Sequence, residues 1–142
     1  MIVPDVNLLV YAHVEAFPEH RKARSWWDGL LNGRKEVGLA SPALFGFLRL
    51  ATNRRLFDPP MPIDAALAHV RRWLARPQVC FLLPGSRHLE IAFRLLEMLG
   101  TAGNLTTDVQ LAALALEHQG EVHSNDADFA RFSDLRWVNP LR

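Results

Sequence analysis

Short apolar runs alternate along this chain with longer stretches in which apolar residues recur every three or four positions. Met1 to Pro4, Val37 to Ala40, Val79 to Leu83, Glu121 to Ser124 and Leu135 to Val138 predict strands. Between them lie helical patterns: Leu8, Leu9, Tyr11 and Ala12; then Ala23, Trp26, Trp27, Leu30 and Leu31, opened at Pro18 and stopped at Gly33. Ser41-Pro42 reads as a cap and first-turn proline for a helix through Leu44, Phe47, Leu48 and Leu50 towards Asn53. The run Asp58-Pro59-Pro60-Met61-Pro62 can continue no helix. A further helix begins near Ile63 and carries Ala66, Leu67, Val70, Trp73 and Leu74. Ser86 is expected to cap one running from Leu89 to Leu99, closed by Gly100, and Thr106 or Thr107 opens the last, ending before Gly120. Strands alternating with helices predict an α/β fold, a three-layer α/β/α sandwich around a mostly parallel sheet of about five strands. With no repeat and no low-complexity linker, residues 1–142 read as one domain.

Three separated segments each end an apolar run with a carboxylate among small polar residues: Asp5, Thr107-Asp108, and Ser124-Asn125-Asp126-Ala127-Asp128. In a parallel sheet, functional groups gather outside the carboxyl ends of the strands. Asp5 after the first strand and Asp126 after the fourth belong on that edge, and Asp108 reaches it from the first turn of a helix. Each acid alone is a common cap or turn residue; their convergence on one edge carries the functional reading. Two carboxylates about 4 Å apart repel by roughly 4 kcal/mol at an effective dielectric of 20. A divalent cation removes that penalty, and oxygen-only ligands select Mg²⁺ or Mn²⁺ over zinc. Asp5, Asp108 and Asp126 are the candidate catalytic and metal-binding residues, with Asp128 beside them, and Asn7, Thr107, Ser124 and Asn125 are candidate supports.

Composition narrows this further. The net charge of +1 and 22% charged residues announce no polyanion partner by global field. Of 16 basic residues only Lys22 and Lys35 are lysines, leaving 14 arginines, the residue suited to bidentate phosphate recognition. Arg49, Arg54 and Arg55 are candidate phosphate contacts, as are Arg71 and Arg72. Cys80 is the single cysteine, excluding an intramolecular disulfide and expected as a small buried hydrophobe. The histidines show no metal spacing; His13, His20, His88 and His118 are expected on helix surfaces. Adjacent Trp26 and Trp27 point about 100° apart on a helix, so one packs inside while the other is available to a partner. Trp73 reads as core. No signal peptide or membrane span is legible, and a cytoplasmic protein is expected.

In four segments the chain resembles the PIN domain, and most closely the VapC-type toxins of bacterial toxin–antitoxin modules. These are Asp5-Val6-Asn7-Leu8-Leu9-Val10-Tyr11, Leu48-Arg49-Leu50-Ala51-Thr52-Asn53, Thr107-Asp108-Val109-Gln110-Leu111-Ala112-Ala113-Leu114-Ala115, and Ser124-Asn125-Asp126-Ala127-Asp128-Phe129. The similarity runs end to end, through Arg136-Trp137-Val138-Asn139-Pro140. It implies an Mg²⁺- or Mn²⁺-dependent endoribonuclease, a homodimer, and inhibition by a cognate VapB-type antitoxin. The family's acids fall on Asp5, Asp108 and Asp126, with Asp128 a companion. One departure stands out: where many PIN domains carry a glutamate, this chain has Gly46, within Phe45-Gly46-Phe47-Leu48-Arg49. Asp128, or Glu90 on the later helix, is then the replacement to look for. Two rival readings follow. A PIN-fold module that binds RNA or antitoxin without turnover would explain Gly46 and would leave RNA intact in the presence of metal. A haloacid-dehalogenase-type phosphatase also starts with an aspartate after its first strand, but it needs an acid where Asn7 stands and a later lysine that neither Lys22 nor Lys35 supplies.

Overall fold

A computed structural model describes all residues from 1 to 142. Five strands, β1 (Ile2–Pro4), β2 (Val37–Ala40), β3 (Val79–Leu82), β4 (Glu121–His123) and β5 (Arg136–Val138), form one sheet. It is parallel throughout, in the order β3-β2-β1-β4-β5. Six α-helices connect them: α1 (Val6–His13), α2 (His20–Leu31), α3 (Ser41–Ala51), α4 (Ile63–Leu74), α5 (His88–Leu99) and α6 (Thr106–Glu117). The chain builds outward from β1 to β2 and β3, then returns to place β4 on the other side of β1. Strand order therefore reverses between β1 and β4, and the crevice at the carboxyl ends of those two strands is where such sheets carry their sites.

Each face of the sheet has its own core. On one, α1 to α4 bury Leu8, Leu9, Trp27, Phe47 and Trp73. On the other, α5 and α6 cover Val3, Leu82, Leu111, Val122 and Phe129. α6 is buried along nearly its whole length, from Val109 to Ala115, as expected of a helix packed against both the sheet and α5. No helix is long and apolar enough to cross a membrane.

Several local expectations are corrected. Cys80 is exposed rather than buried, because β3 lies at the sheet edge and only Val79 and Leu82 are covered. Ser41 does not cap its helix: β2 runs directly into α3, Ala40 takes the cap position and Ser41 is already helical. Nor does Ser86 cap α5. Glu117, the last residue of α6, reaches across instead, accepting from Gly85 N at 2.7 Å and Arg87 N at 2.9 Å. Helix α2 starts at His20, two residues past Pro18. Gly100 closes α5 in the left-handed conformation, φ 74°, which glycine adopts without a Cβ clash.

Gly46 has a packing reason. A Cβ built there would stand 2.9 Å from Cγ2 of Val6, at the start of α1. The bare backbone lets α3 approach the helix that begins at the site. Gly46→Ala gains up to about 1 kcal/mol of helix propensity but loses about 1–3 kcal/mol to overpacking. We therefore expect net destabilisation that the added change Val6→Ala relieves, giving a non-additive double-mutant cycle in urea unfolding. Additive effects would mean that the two positions do not press on each other.

Candidate active site

Asp5 ends β1 and caps α1. Its Oδ1 accepts from Val6 N at 2.7 Å, and its own N–H donates to the His123 carbonyl at 2.9 Å, carrying the β1–β4 pairing to the site. Its Oδ2 accepts from the Ser124 hydroxyl at 2.6 Å. Ser124 is fully buried and joins both halves of the crevice. Besides donating to Asp5, its Oγ accepts from Asp126 N at 2.9 Å and from Asn7 Nδ2 at 3.3 Å. Asn7 Oδ1 in turn accepts from Asn125 N at 3.5 Å.

Asp126 turns the chain into the short 3-10 helix Ala127–Arg131, its Oδ1 accepting from Asp128 N at 2.9 Å. Asp108 comes from the first turn of α6. One carboxylate oxygen each from Asp108, Asp126 and Asp128 lie within 4.8 Å of one another. Asp5 stands outside this tightest group, its two oxygens held by protein donors, yet near enough to act on Asp108 electrostatically. Burial, then the charges of Asp5, Asp126 and Asp128, push the Asp108 carboxyl up to about 7. Burial also raises Asp5, against the lowering effect of its bonds from Ser124 and Val6. The uncompensated negative charge expected from the sequence is thus present.

The donor set fits a hard divalent cation. It consists only of carboxylate oxygens, close enough to share one ion, and Asp108, raised by burial and then by its acidic neighbours, carries a charge that a cation would offset. Zinc would call for His or Cys ligands, and the group has none.

Other candidates are placed differently. Thr107 is exposed and bonds to none of the acids. Glu90 is exposed on α5, whose start is held by the end of α6 away from Asp108, and it does not join the group. Arg49, Arg54 and Arg55 are exposed and form no ion pair with a site carboxylate. His88 is buried rather than on a surface, and His13 is half-buried, its Nδ1 donating to the Leu9 carbonyl at 2.7 Å. Trp27 packs in the core, and Trp26 also turns inward: its Nε1 donates to His123 Nδ1 at 3.0 Å. That bond puts the His123 proton on Nε2, which donates to Glu121 at 2.9 Å.

Two braces escaped the sequence reading. Trp137 Nε1 donates to the Ser124 carbonyl at 3.0 Å, and Asn139 Nδ2 donates to Asn125 Oδ1 at 2.9 Å. Both come from β5 and the residues just after it, and hold the Ser124–Asp126 turn from outside. A tryptophan and an asparagine near a terminal strand carry no distinctive signal for this.

Comparison with known proteins agrees with the geometry. The sequence profile of the PIN domain matches residues 2–135. The chain is 56% identical to Ribonuclease VapC33 of Mycobacterium tuberculosis (strain H37Rv) over 142 residues, covering 100% of this chain and 99% of the relative. It is 42% identical to Ribonuclease VapC37 of the same strain, covering 99% and 97%. In fold it is similar to FitAcB from Neisseria gonorrhoeae, with a TM-score of 0.68 at 18% identity, covering 99% and 98%. VapBC2 from Rickettsia felis, solved bound to a DNA fragment from its promoter, gives 0.67 at 17% identity, covering 98% of each chain. A five-stranded parallel sheet with acids gathered at its switch point, a family profile spanning nearly the whole chain and full-length relatives of this identity together show that the chain belongs to the PIN-domain family.

Proposed function

We propose that this protein is a divalent-metal-dependent endoribonuclease of the VapC type, the toxin of a toxin–antitoxin pair. The observation that carries this reading is the Asp108–Asp126–Asp128 group beside Asp5, together with 56% identity to a relative named as a ribonuclease. Asp108, Asp126 and Asp128 would hold Mg²⁺ or Mn²⁺, with Asp5 completing the set. Held there, the ion would supply neutralisation of phosphate oxygens and a lowered pKa for its water.

The chain's own residues set the conditions for that chemistry. Ser124 fixes Asp5 and Asp126 relative to each other through one hydroxyl. Asn7 links the start of α1 to Ser124 and Asn125 in the turn after β4, tying the two strand ends together. Asp108, with its carboxyl near 7, gives up its proton to take a ligand role, so metal binding releases a proton and strengthens as pH rises through that value. With no acid at Gly46, Asp128 would supply the further carboxylate from the turn after β4.

Partners fit two apolar surfaces. A cavity of about 460 Å³ between α1 and α3 is walled by Val10, Tyr11, Phe17, Leu50, Leu56 and Phe57, with Asn7 at one end. Its lining suits the apolar face of an antitoxin segment lying close to the acids. Along the open edge at β3, the exposed side chains of Phe45, Phe81 and Leu83 line one apolar cavity, a surface that a second copy would cover.

Purified protein incubated with total RNA is expected to give discrete fragments with Mg²⁺ or Mn²⁺ and none with chelator, and Asp5→Ala should abolish them. Intact RNA from well-folded protein with both metals would favour the binding module without turnover.

A further inference from the structure

At the other end of α1 from Asp5, about 12 Å along the helix by its rise, a second polar cavity opens. Its volume is about 220 Å³, and it lies where the end of α1 meets α2 and α4, among His13, Trp27, His69 and the exposed Arg24, Arg72 and Arg76. No residue of the acid site lines it.

Its hydrogen-bonding inventory is lopsided. Three guanidiniums face one carboxylate, Asp28, and that carboxylate is engaged by Arg24 Nε at 3.1 Å. Arg72 Nη2 lies 2.9 Å from His69 Nδ1. A guanidinium only donates, so Nδ1 accepts, the His69 ring is neutral and its Nε2 carries the proton as a further donor. His13 is likewise neutral, its Nδ1–H spent on Leu9. Burial lowers its pKa to about 4. Trp27, only 1% exposed, forms part of the wall, its indole N–H sealed from the cavity.

Position at a helix C-terminus would account for Arg72 and Arg76, since cations there complement the helix dipole. It does not account for three guanidiniums gathered around a single carboxylate, or for the donor-bearing His69 ring. A cavity lined by three guanidiniums and one carboxylate is net positive and rich in donors, which suits an oxyanion, and arginine forks match phosphate oxygens in pairs. We propose that this cavity is a phosphate-binding site, separate from the acid cluster, taking the phosphate group of a small monoester or of a nucleic-acid terminus. It stands independently of the ribonuclease reading.

The test uses the full chain in the presence of EDTA, so that no cation at the acids can recruit the anion. Thermal unfolding and tryptophan emission are followed with inorganic phosphate and with chloride at matched ionic strength. Phosphate is expected to raise Tm and to change the emission of the cavity tryptophans beyond the chloride effect. In the double variant Arg72→Gln/Arg76→Gln, apparent affinity should fall roughly tenfold or more, in line with the loss of charge-assisted bonds. Arg24→Gln, an exposed change that frees Asp28 to repel the anion, should weaken it too. Equal responses in wild type and variants, or a phosphate response no greater than that of chloride, overturn the site. Matched RNA strands with 5′-phosphate and 5′-hydroxyl ends separate the sources. Tighter binding of the phosphorylated strand than of inorganic phosphate identifies a nucleic-acid end as the ligand, and equal binding of phosphate alone identifies the free anion.

Discussion

Asp108→Asn is expected to lower RNA cleavage by about a hundredfold or more while making the metal-free fold more resistant to heat above about pH 7. The two effects share one cause. Asp108 is pushed up to about 7, by burial first and then by Asp5, Asp126 and Asp128. Below the unfolded value of 3.8 the carboxyl is protonated whether the chain is folded or not, and it costs nothing. Between 3.8 and about 7 the unfolded chain ionises while the folded one keeps its proton, so stability falls as pH rises. Above about 7 the penalty is complete. Asparagine keeps the shape and removes the charge. With the site half open to solvent, the gain is on the order of 1–2 kcal/mol, far less than the full shift would give, or roughly 3–8 °C in Tm. Melting curves of both proteins across this pH range in EDTA check it: the gap should be absent in acid and widen towards neutrality. Added Mg²⁺ should raise Tm of the wild type and leave the variant unmoved. A variant that melts lower at every pH would show that the acids are not strained by one another.

Ser124→Ala should be the most damaging change in the crevice that removes no charge. One buried hydroxyl serves Asp5 as donor and Asp126 N–H and Asn7 as acceptor. Its loss leaves a buried carboxylate oxygen and a backbone N–H unsatisfied together, a cost of about 2–4 kcal/mol. The carboxyl of Asp5 also loses the hydroxyl bond that opposes its desolvation, so its pKa rises further and metal is held less well. Urea unfolding measures the first effect, and the midpoint of an Mg²⁺ titration of activity measures the second. Ser124→Thr, which retains the hydroxyl, should recover most of the metal affinity if its methyl is accommodated. A variant stable to within 0.5 kcal/mol, about the limit for changes that touch nothing, would show that water replaces the hydroxyl.

The strands, helices and acids were legible because each follows from local chemistry. A carboxylate at the end of an apolar run marks a strand that exits into something polar, and three- and four-residue spacing marks a helix. The parallel order needed only the alternation of the two. What lies beyond local chemistry was not legible. The run Val79-Cys80-Phe81-Leu82-Leu83 reads as a buried central strand, and only the strand order makes it an edge. Glu117 looks like an ordinary polar helix end, yet it supplies the cap that Ser86 was expected to provide. Trp137 and Asn139 brace the acid turn through single bonds spanning 13 and 14 residues, a relation no periodicity records. Gly46 read as a lost ligand and a weak helix position; its contact with Val6 adds that the space at that point is already taken.

The order in which the chain is made bears on when the site can exist. Asp5 emerges in the first strand and Asp108 much later, but Ser124, Asp126 and Asp128 follow both, and their braces at Trp137 and Asn139 come later still. β4, which must slot against β1 to close the crevice, is synthesised after every other neighbour of β1. A nascent chain can therefore pack α1 to α4 on one face of β1, β2 and β3 while still holding an incomplete set of acids. Completion of the crevice waits on the last part of synthesis, so a product truncated before residue 124 is expected to lack the acid set, while the apolar surface of α1 and α3 is already formed.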